Sequence, residues 1–355
     1  MRTTMNSPQS NSSESLNSAF GKLHQDVQRW IYDQQWTELR EVQAKAINAI
    51  LGTSNDIVLA AATASGKTEA AFLPILSQIA AGPEQSFQAV YIGPLRALIN
   101  DQFFRLELLC ERLKIPVFKW HGDVQDSMKR HARDKPSGVL LITPESLEAL
   151  FVRRPELLSR MFGSTKFVVI DELHTFLSTE RGVQLASLLK RFESKLSLKP
   201  RRVGLSATIG DLGLAASWLR PDNPSSVTII NNKSITADLR LQIRGVSTPH
   251  LTDASQGKPQ PDQTEKKART STRADELLIR KIADHLFKTM RAKGNHLVFA
   301  SSRREVEQLA DILRESCESS KLSNEFFPHH GNLSREVREA LEARLKEGNQ
   351  HTPPP

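Results

Sequence analysis

The sequence predicts an α/β fold around a central parallel sheet, followed by an incomplete second domain of the same class. Three observations carry this. Five short runs, "DIVLAA" (56–61), "AVYIGPL" (89–95), "GVLLITP" (138–144), "KFVVIDE" (166–172) and "RVGLSAT" (202–208), are rich in Val, Ile and Leu with little alternation, as in strands covered on both faces. Segments with helical spacing lie between them, among them "KTEAAFLPILSQIA" (67–80) and "RALINDQFFRLELLCERL" (96–113). Strand and helix alternating in this way imply parallel pairing with helices on both faces. The pattern then restarts near residue 275 after a polar stretch.

Taken in order, residues 1–20 read as a polar tail without the apolar core of a secretory signal. The first α/β domain is expected over 21–220. "SVTII" and "DLRLQIRGV" follow as a strand pair leading away from it. The stretch "SQGKPQPDQTEKKARTSTR" (255–273) has no large apolar residue. It cannot bury enough surface to offset its ordering entropy, so 221–274 reads as connecting strands and a linker. The partial domain over 275–355 contains helix "ELLIRKIADHLFKTMRA", strand "HLVFASS", helix "REVEQLADILRE", strand "EFFPHH" and helix "SREVREALEARLKEG".

Composition narrows the function classes. Hydrophobic content of 39% and charged content of 25% are ordinary for a soluble globular protein. A net charge of +8 suits a polyanionic partner without requiring one. The 2 cysteines, Cys110 and Cys317, make neither a disulfide framework nor a metal-binding spacing, which points to a reducing compartment, the cytoplasm. No apolar run approaches the roughly 20 residues that span a bilayer. Nothing resembles the metal cluster or nucleophile constellation of a nuclease or peptidase.

The chemistry sits at the strand ends. In "LAAATASGKTEAA" a strand ends near Ala61, and the loop Thr63-Ala64-Ser65 leads into a helix opened by Gly66-Lys67-Thr68. Backbone N–H groups of such a loop and the helix N-terminus cradle phosphates. Lys67 would reach the β and γ phosphates, and the Thr68 hydroxyl would hold Mg²⁺. A lone Gly-Lys-Thr also opens ordinary helices. Its place after a buried strand and before an apolar helix favours the nucleotide. The usual first glycine of this loop is Ala61 here. "FVVIDELH" supplies the complementary acids: Asp171 to hold Mg²⁺ through water and Glu172 to polarise the attacking water. His174 alone would more often pack or cap than act.

These motifs together resemble superfamily 2 helicases of the DEAD/DEAH-box group. "AATASGKT" is similar to their A-x-T-x-S-G-K-T phosphate loop, in which Ala61 is the expected residue. "DELH" resembles the DExH box, and "LSAT" (205–208) the coupling motif, with Ser206 and Thr208 as its hydroxyls beside His174. "WTELREVQAKAI" looks like the adenine-recognition segment, with Gln43 offering a donor and an acceptor. Trp36 could stack there, although a core role suits it better. "PLRALINDQ", "HGD" and "TPESL" resemble the strand-tracking motifs, giving Pro94, Arg96, Asn100, Gly122, Asp123, Thr143 and Pro144 as nucleic-acid candidates. Arg96 and Asn100, one helical turn apart, can share a face, and Thr143 reads equally as a helix N-cap. "LVFASSRREVE" and "HHGNLSREVREALEARLKEG" look like second-lobe motifs and add Ser301, Arg303, Gly331 and Arg335. The wording is nearest to Lhr-type helicases. The resemblance implies two RecA-like lobes, ATP and Mg²⁺ as cofactors, and 3′ to 5′ translocation on single-stranded DNA or RNA.

One departure bears on activity. The second-lobe motifs T-x-x-x-x-G-[IV]-D and Q-x-x-G-R-x-G-R are absent, and Gly-Arg occurs nowhere in the 355 residues. An arginine reaching the γ phosphate is worth about 10³–10⁵ in rate, or roughly 4–7 kcal/mol of barrier. The expectation is therefore that "HTPPP" marks the loss of a helicase reading frame, leaving this chain with negligible ATPase. Two alternatives stand beside it. A second polypeptide could complete the lobe, or the chain could bind nucleic acid without hydrolysis.

Overall fold

Strands β1 (Asp56–Ala61), β2 (Phe87–Ile92), β3 (Val117–Trp120), β4 (Gly138–Ile142), β5 (Phe167–Ile170), β6 (Arg201–Ser206) and β7 (Val227–Asn232) form a single sheet in the order β3-β4-β2-β5-β6-β1-β7. Every pairing is parallel. The structure is a computed structural model. It describes residues 18–62, 65–82, 84–196, 198–207, 210–232, 241–247, 263–290 and 295–347. The chain divides into two units, Met1–Ala237 and Asp238–Pro355.

The absence of alternation in the strands has its cause in the layers. Ile57 and Leu59 of β1, Tyr91 of β2 and Val169 of β5 enter one core. It is shared with α1 (Gln25–Asp33), α2 (Glu41–Gly52), α3 (Lys67–Ala80) and α4 (Arg96–Leu113). Val58, Val90 and Ile170 enter the other. That face is covered by α6 (Pro144–Arg153), α7 (Leu158–Phe162), α8 (Glu180–Glu193) and α9 (Leu212–Leu219), while α5 (Asp126–Asp134) contributes Ala132. Both faces are covered, so both side-chain parities must be apolar. The helices predicted at 67–80 and 96–113 have those limits.

Two strands depart from the sequence reading. β3 is only four residues long and carries Lys119, too little apolar signal to mark an edge strand. "SVTII" does not lead away: β7 pairs with β1 from Asp56↔Val227 to Ala61↔Asn232. The first domain thus runs past the expected limit at 220. No ladder is formed by residues 241–247, so the expected strand pair is absent there.

The end of the sheet at which the strands begin is tied by a buried ion network. Asp56 is paired with Arg220 and accepts the backbone N–H of Arg202 at 2.7 Å. Glu193 joins Arg202 and Arg220 at 2.8 and 2.9 Å.

In the second unit, helix α10 (Gln263–Thr289) includes residues 263–273, expected as linker. Its Glu, Lys, Ala and Arg are good helix formers, and the apolar helix continuing from them supplies the nucleus that composition alone does not reveal. Ala283 of α10 is buried, as are Leu313 and Cys317 of α11 (Arg303–Ser319). The expected strands at 296–302 and 325–330 make no ladder among the described residues. Leu297 is 67% exposed and Phe299 is 91% exposed. Residues 1–17, 255–262 and "HTPPP" lie outside the described residues.

Candidate functional site

β1 delivers the chain to the phosphate loop. Thr63, Ala64 and Thr208 lie outside the described residues. Gly66 caps α3 with φ +81°, a left-handed conformation, and an added Cβ would stand 2.9 Å from Gln43 Nε2. Both facts require glycine. Lys67 opens α3, and its ammonium donates to the Ala61 carbonyl at 3.0 Å. Burial lowers the Lys67 pKa, while the carboxylates of Glu172 and Asp171 push it back up. Thr68 is buried behind it. The Ser65 hydroxyl is buried without a hydrogen-bond partner among the described residues.

The acidic pair follows β5. The Asp171 N–H extends the ladder to the Ile92 carbonyl at 2.9 Å. The Tyr91 hydroxyl donates to Asp171 Oδ2. Burial raises the Asp171 pKa, and the hydrogen bond from Tyr91 works against it. Glu172 has φ +47°, an uncommon conformation for a non-glycine residue and one that clusters at functional sites. His174 Nδ1 lies 3.4 Å from Glu172 Oε2 and 3.1 Å from Ser206 Oγ at the end of β6. A chain of polar contacts thus runs from the acidic box to the end of a second strand.

Gln43, Gly66, Lys67, Thr68, Asp171 and Glu172 line one cavity of about 570 Å³. Gln43 sits at the start of α2, its Oε1 accepting the Arg40 N–H at 2.9 Å. Trp36 also lines the cavity, set edge-to-face against Trp30 at 5.6 Å, so its core and site roles coexist. A hydroxyl and a carboxylate are hard oxygen donors of the kind Mg²⁺ takes when most of its shell is water and phosphate. The left-handed glycine and the unpaired Ser65 hydroxyl fit a phosphate in the loop.

The strand-tracking candidates of this unit lie at the same, carboxyl, end of the sheet, where open α/β folds place ligands. Arg96, in the first turn of α4, pairs with Asp123 at 2.8 Å. Asn100 Oδ1 is 3.1 Å from His121 Nε2. Gly122 lies under the Arg96 guanidinium. Thr143 caps α6, accepting the Ser146 N–H at 3.3 Å, with Pro144 as the first helical residue. Pro94 offers its carbonyl to Arg181 Nη2 at 2.8 Å, and Arg181 Nε reaches Glu145 at 2.8 Å. In the second unit, Ser301 donates its N–H to Glu305 at 2.9 Å. Arg303 donates to Asn332 at 2.8 Å, beside Gly331. Arg335 opens helix α12 (Arg335–Glu347).

Sequence reasoning missed three residues. Tyr91 was the polar-tipped side chain in a run read as strand. His121 lies inside "HGD", whose glycine and aspartate are the residues that the resemblance marks. Arg181 had no local signal, since its partners are 36 and 87 residues away.

Residues 40–213 match the family described as DEAD/DEAH box helicase. The chain is 28% identical over 350 residues to the Lhr helicase/probable uracil glycosylase of Mycolicibacterium smegmatis, covering 86% of this chain and 21% of that protein. It is 28% identical over 345 residues to the ATP-dependent helicase Lhr-Core of Saccharolobus solfataricus, covering 93% and 36%. Among solved structures, Mycobacterium smegmatis helicase Lhr bound to ssDNA and AMP-PNP superposes with TM-score 0.75 at 27% identity, covering 93% of this chain and 41% of that one. Mss116p bound to ssRNA and AMP-PNP shares the fold, at TM-score 0.69 and 17% identity over 92% of this chain and 62% of that one. The chain therefore spans between about a fifth and two fifths of the Lhr-type relatives it matches. Residues 40–213 thus carry a DEAD/DEAH box helicase domain, and the relatives that the chain as a whole resembles are helicases of the Lhr type.

Proposed function

We propose that this chain is the ATP-dependent core of a Lhr-like translocase or helicase, binding Mg-ATP and single-stranded DNA or RNA. The observation that carries the reading is the convergence of Gln43, Gly66, Lys67, Thr68, Asp171 and Glu172 on one cavity. Bound ATP supplies a phosphoanhydride whose cleavage powers movement along a strand. Lys67, which donates to the Ala61 carbonyl, would turn to a phosphate, and Thr68 with Asp171 would hold the Mg²⁺. Glu172 orients the attacking water, and His174 with Ser206 reports the state of that site to β6. Nucleic acid tracks along Arg96, Asn100 and Thr143 through its backbone, so binding is indifferent to sequence and falls steeply with salt.

Among the described residues no helix is long and apolar enough to cross a membrane. A cytoplasmic place for the protein rests on its two buried free cysteines.

A second reading concerns the second unit. Leu297 and Phe299 have the pattern of a buried strand but stand exposed, which favours completion by a further polypeptide segment. In that reading the segment also brings the arginines absent from this sequence.

Lys67→Ala tests the nucleotide site. Calorimetry should show Mg-ATP binding by the parent and none by the variant. Equal affinity in the two would reject the assignment.

A further inference from the structure

The turn after β3 grips the first two turns of α4 at each of its three residues. Asp123 holds the Arg96 guanidinium at 2.8 Å. Gly122 lets that guanidinium lie on the turn: an added Cβ would come within 3.0 Å of Nη2 and 3.2 Å of Cζ. His121 holds Asn100 Oδ1 at 3.1 Å.

This grip differs in kind from the structural ion pairs of the same unit. Arg202 and Glu193 are 6% and 14% exposed, whereas Arg96 and Asp123 are 59% and 38% exposed. An exposed pair contributes little to folding and is readily exchanged for another anion. The His121 ring is buried, and its Nδ1 has no hydrogen-bond partner among the described residues. Burial pushes its pKa down to about 4. The ring is then neutral, and Nε2–H donates to Asn100 Oδ1. That turns the amide NH₂ of Asn100 away from the histidine, one helical turn from Arg96 and on the same face.

We propose that the His121–Asp123 turn is a resident clamp in which Asp123 occupies Arg96 in place of a strand phosphate. A single strand binds by displacing the Asp123 carboxylate, while His121 keeps the Asn100 amide aimed at the backbone. The proposal rests on the nucleic-acid reading above and adds a residue that opposes binding. Asp123 sets how much backbone charge is needed before Arg96 is released, so weak anions and short strands are rejected.

The test is fluorescence anisotropy with labelled oligo(dT) and oligo(U) across a salt series. It compares the parent, Asp123→Asn, Arg96→Ala and the double variant, with circular dichroism melting to confirm folding. Asp123→Asn should bind about 3–5-fold tighter, the size of an exposed ion pair. Arg96→Ala should weaken binding and flatten the slope of log K against log salt by about 0.7. In the double variant the gain from Asp123→Asn should vanish. The same gain without Arg96 would mean general electrostatics and would overturn the clamp, as would unchanged or weaker binding by Asp123→Asn. Inorganic phosphate should compete no better than chloride at equal ionic strength. Specific competition by phosphate would make this a free-anion site and overturn the strand reading of it. Failure of the parent to bind either oligonucleotide would reject the nucleic-acid function itself, and the clamp with it.

Discussion

The two ends of the first unit's sheet carry similar chemistry to opposite effect. Where the strands begin, Asp56, Arg202 and Arg220 are buried, Glu193 is partly buried, and their charges answer one another in pairs. Where the strands end, Asp171 is buried beside a second carboxylate with its pKa raised. There Ser65 Oγ and His121 Nδ1 lack hydrogen-bond partners among the described residues, and Glu172 and Gly66 hold positive φ. The first end is satisfied and gives stability. The second leaves polar atoms without partners among the described residues, as a site built to receive a ligand does, and that cost is borne by the rest of the fold.

The largest effect expected from this contrast lies at the satisfied end. Asp56→Ala leaves Arg220 buried without its aspartate and should cost about 3–5 kcal/mol, measured by urea unfolding. A loss within experimental error would show the network to be ornamental.

At the other end, removing an acid should stabilise. The folded chain binds the Asp171 proton more tightly than the unfolded chain does. The stability from that group is therefore present below the unfolded pKa and is lost as pH rises through the folded one. At neutral pH only the cost of the buried charge remains. Asp171→Asn keeps an oxygen for the Tyr91 hydroxyl and should raise stability by about 0.5–2 kcal/mol at pH 7. The gain should shrink as the pH falls through the carboxylate range. A stability curve parallel to that of the parent would contradict the assignment of burial as the dominant influence.

The smallest effect separates the two units. Phe167 in β5 is 1% exposed and Phe299 is 91% exposed, although each stands in an apolar run of similar wording. Phe299→Ala should shift stability by less than about 0.5 kcal/mol, against about 3–5 kcal/mol for Phe167→Ala. Comparable losses would mean that residues 296–302 are covered in solution.

That last pair also shows what the sequence could tell. The limits of α3 and α4 were legible residue by residue, because Gly66 and "PL" before Arg96 stop one pattern and start another. The candidates Gly66, Lys67, Thr68, Asp171 and Glu172, which line one cavity, were legible because their spacing is tied to strand ends. β7 was not: a parallel edge strand returns to β1 from 166 residues away, and nothing local to "SVTII" names its partner. Tyr91 and Arg181 were hidden for the same reason, since their value lies in what the fold sets beside them. The runs at 296–302 and 325–330 failed in the opposite direction. Their local pattern is that of a strand, but a parallel strand exists only where a neighbour offers a ladder.

The most direct test of the contrast between the ends is the thermal shift produced by Mg-ATP in the parent, Asp56→Asn and Asp171→Asn. A ligand that binds only the folded chain raises its melting temperature. Asp56→Asn should melt lower than the parent yet keep the nucleotide-induced rise. Asp171→Asn should melt higher and lose most of it. A lower melting temperature for Asp171→Asn with an undiminished nucleotide shift would contradict the account: it would make Asp171 part of the scaffold and remove it from the site.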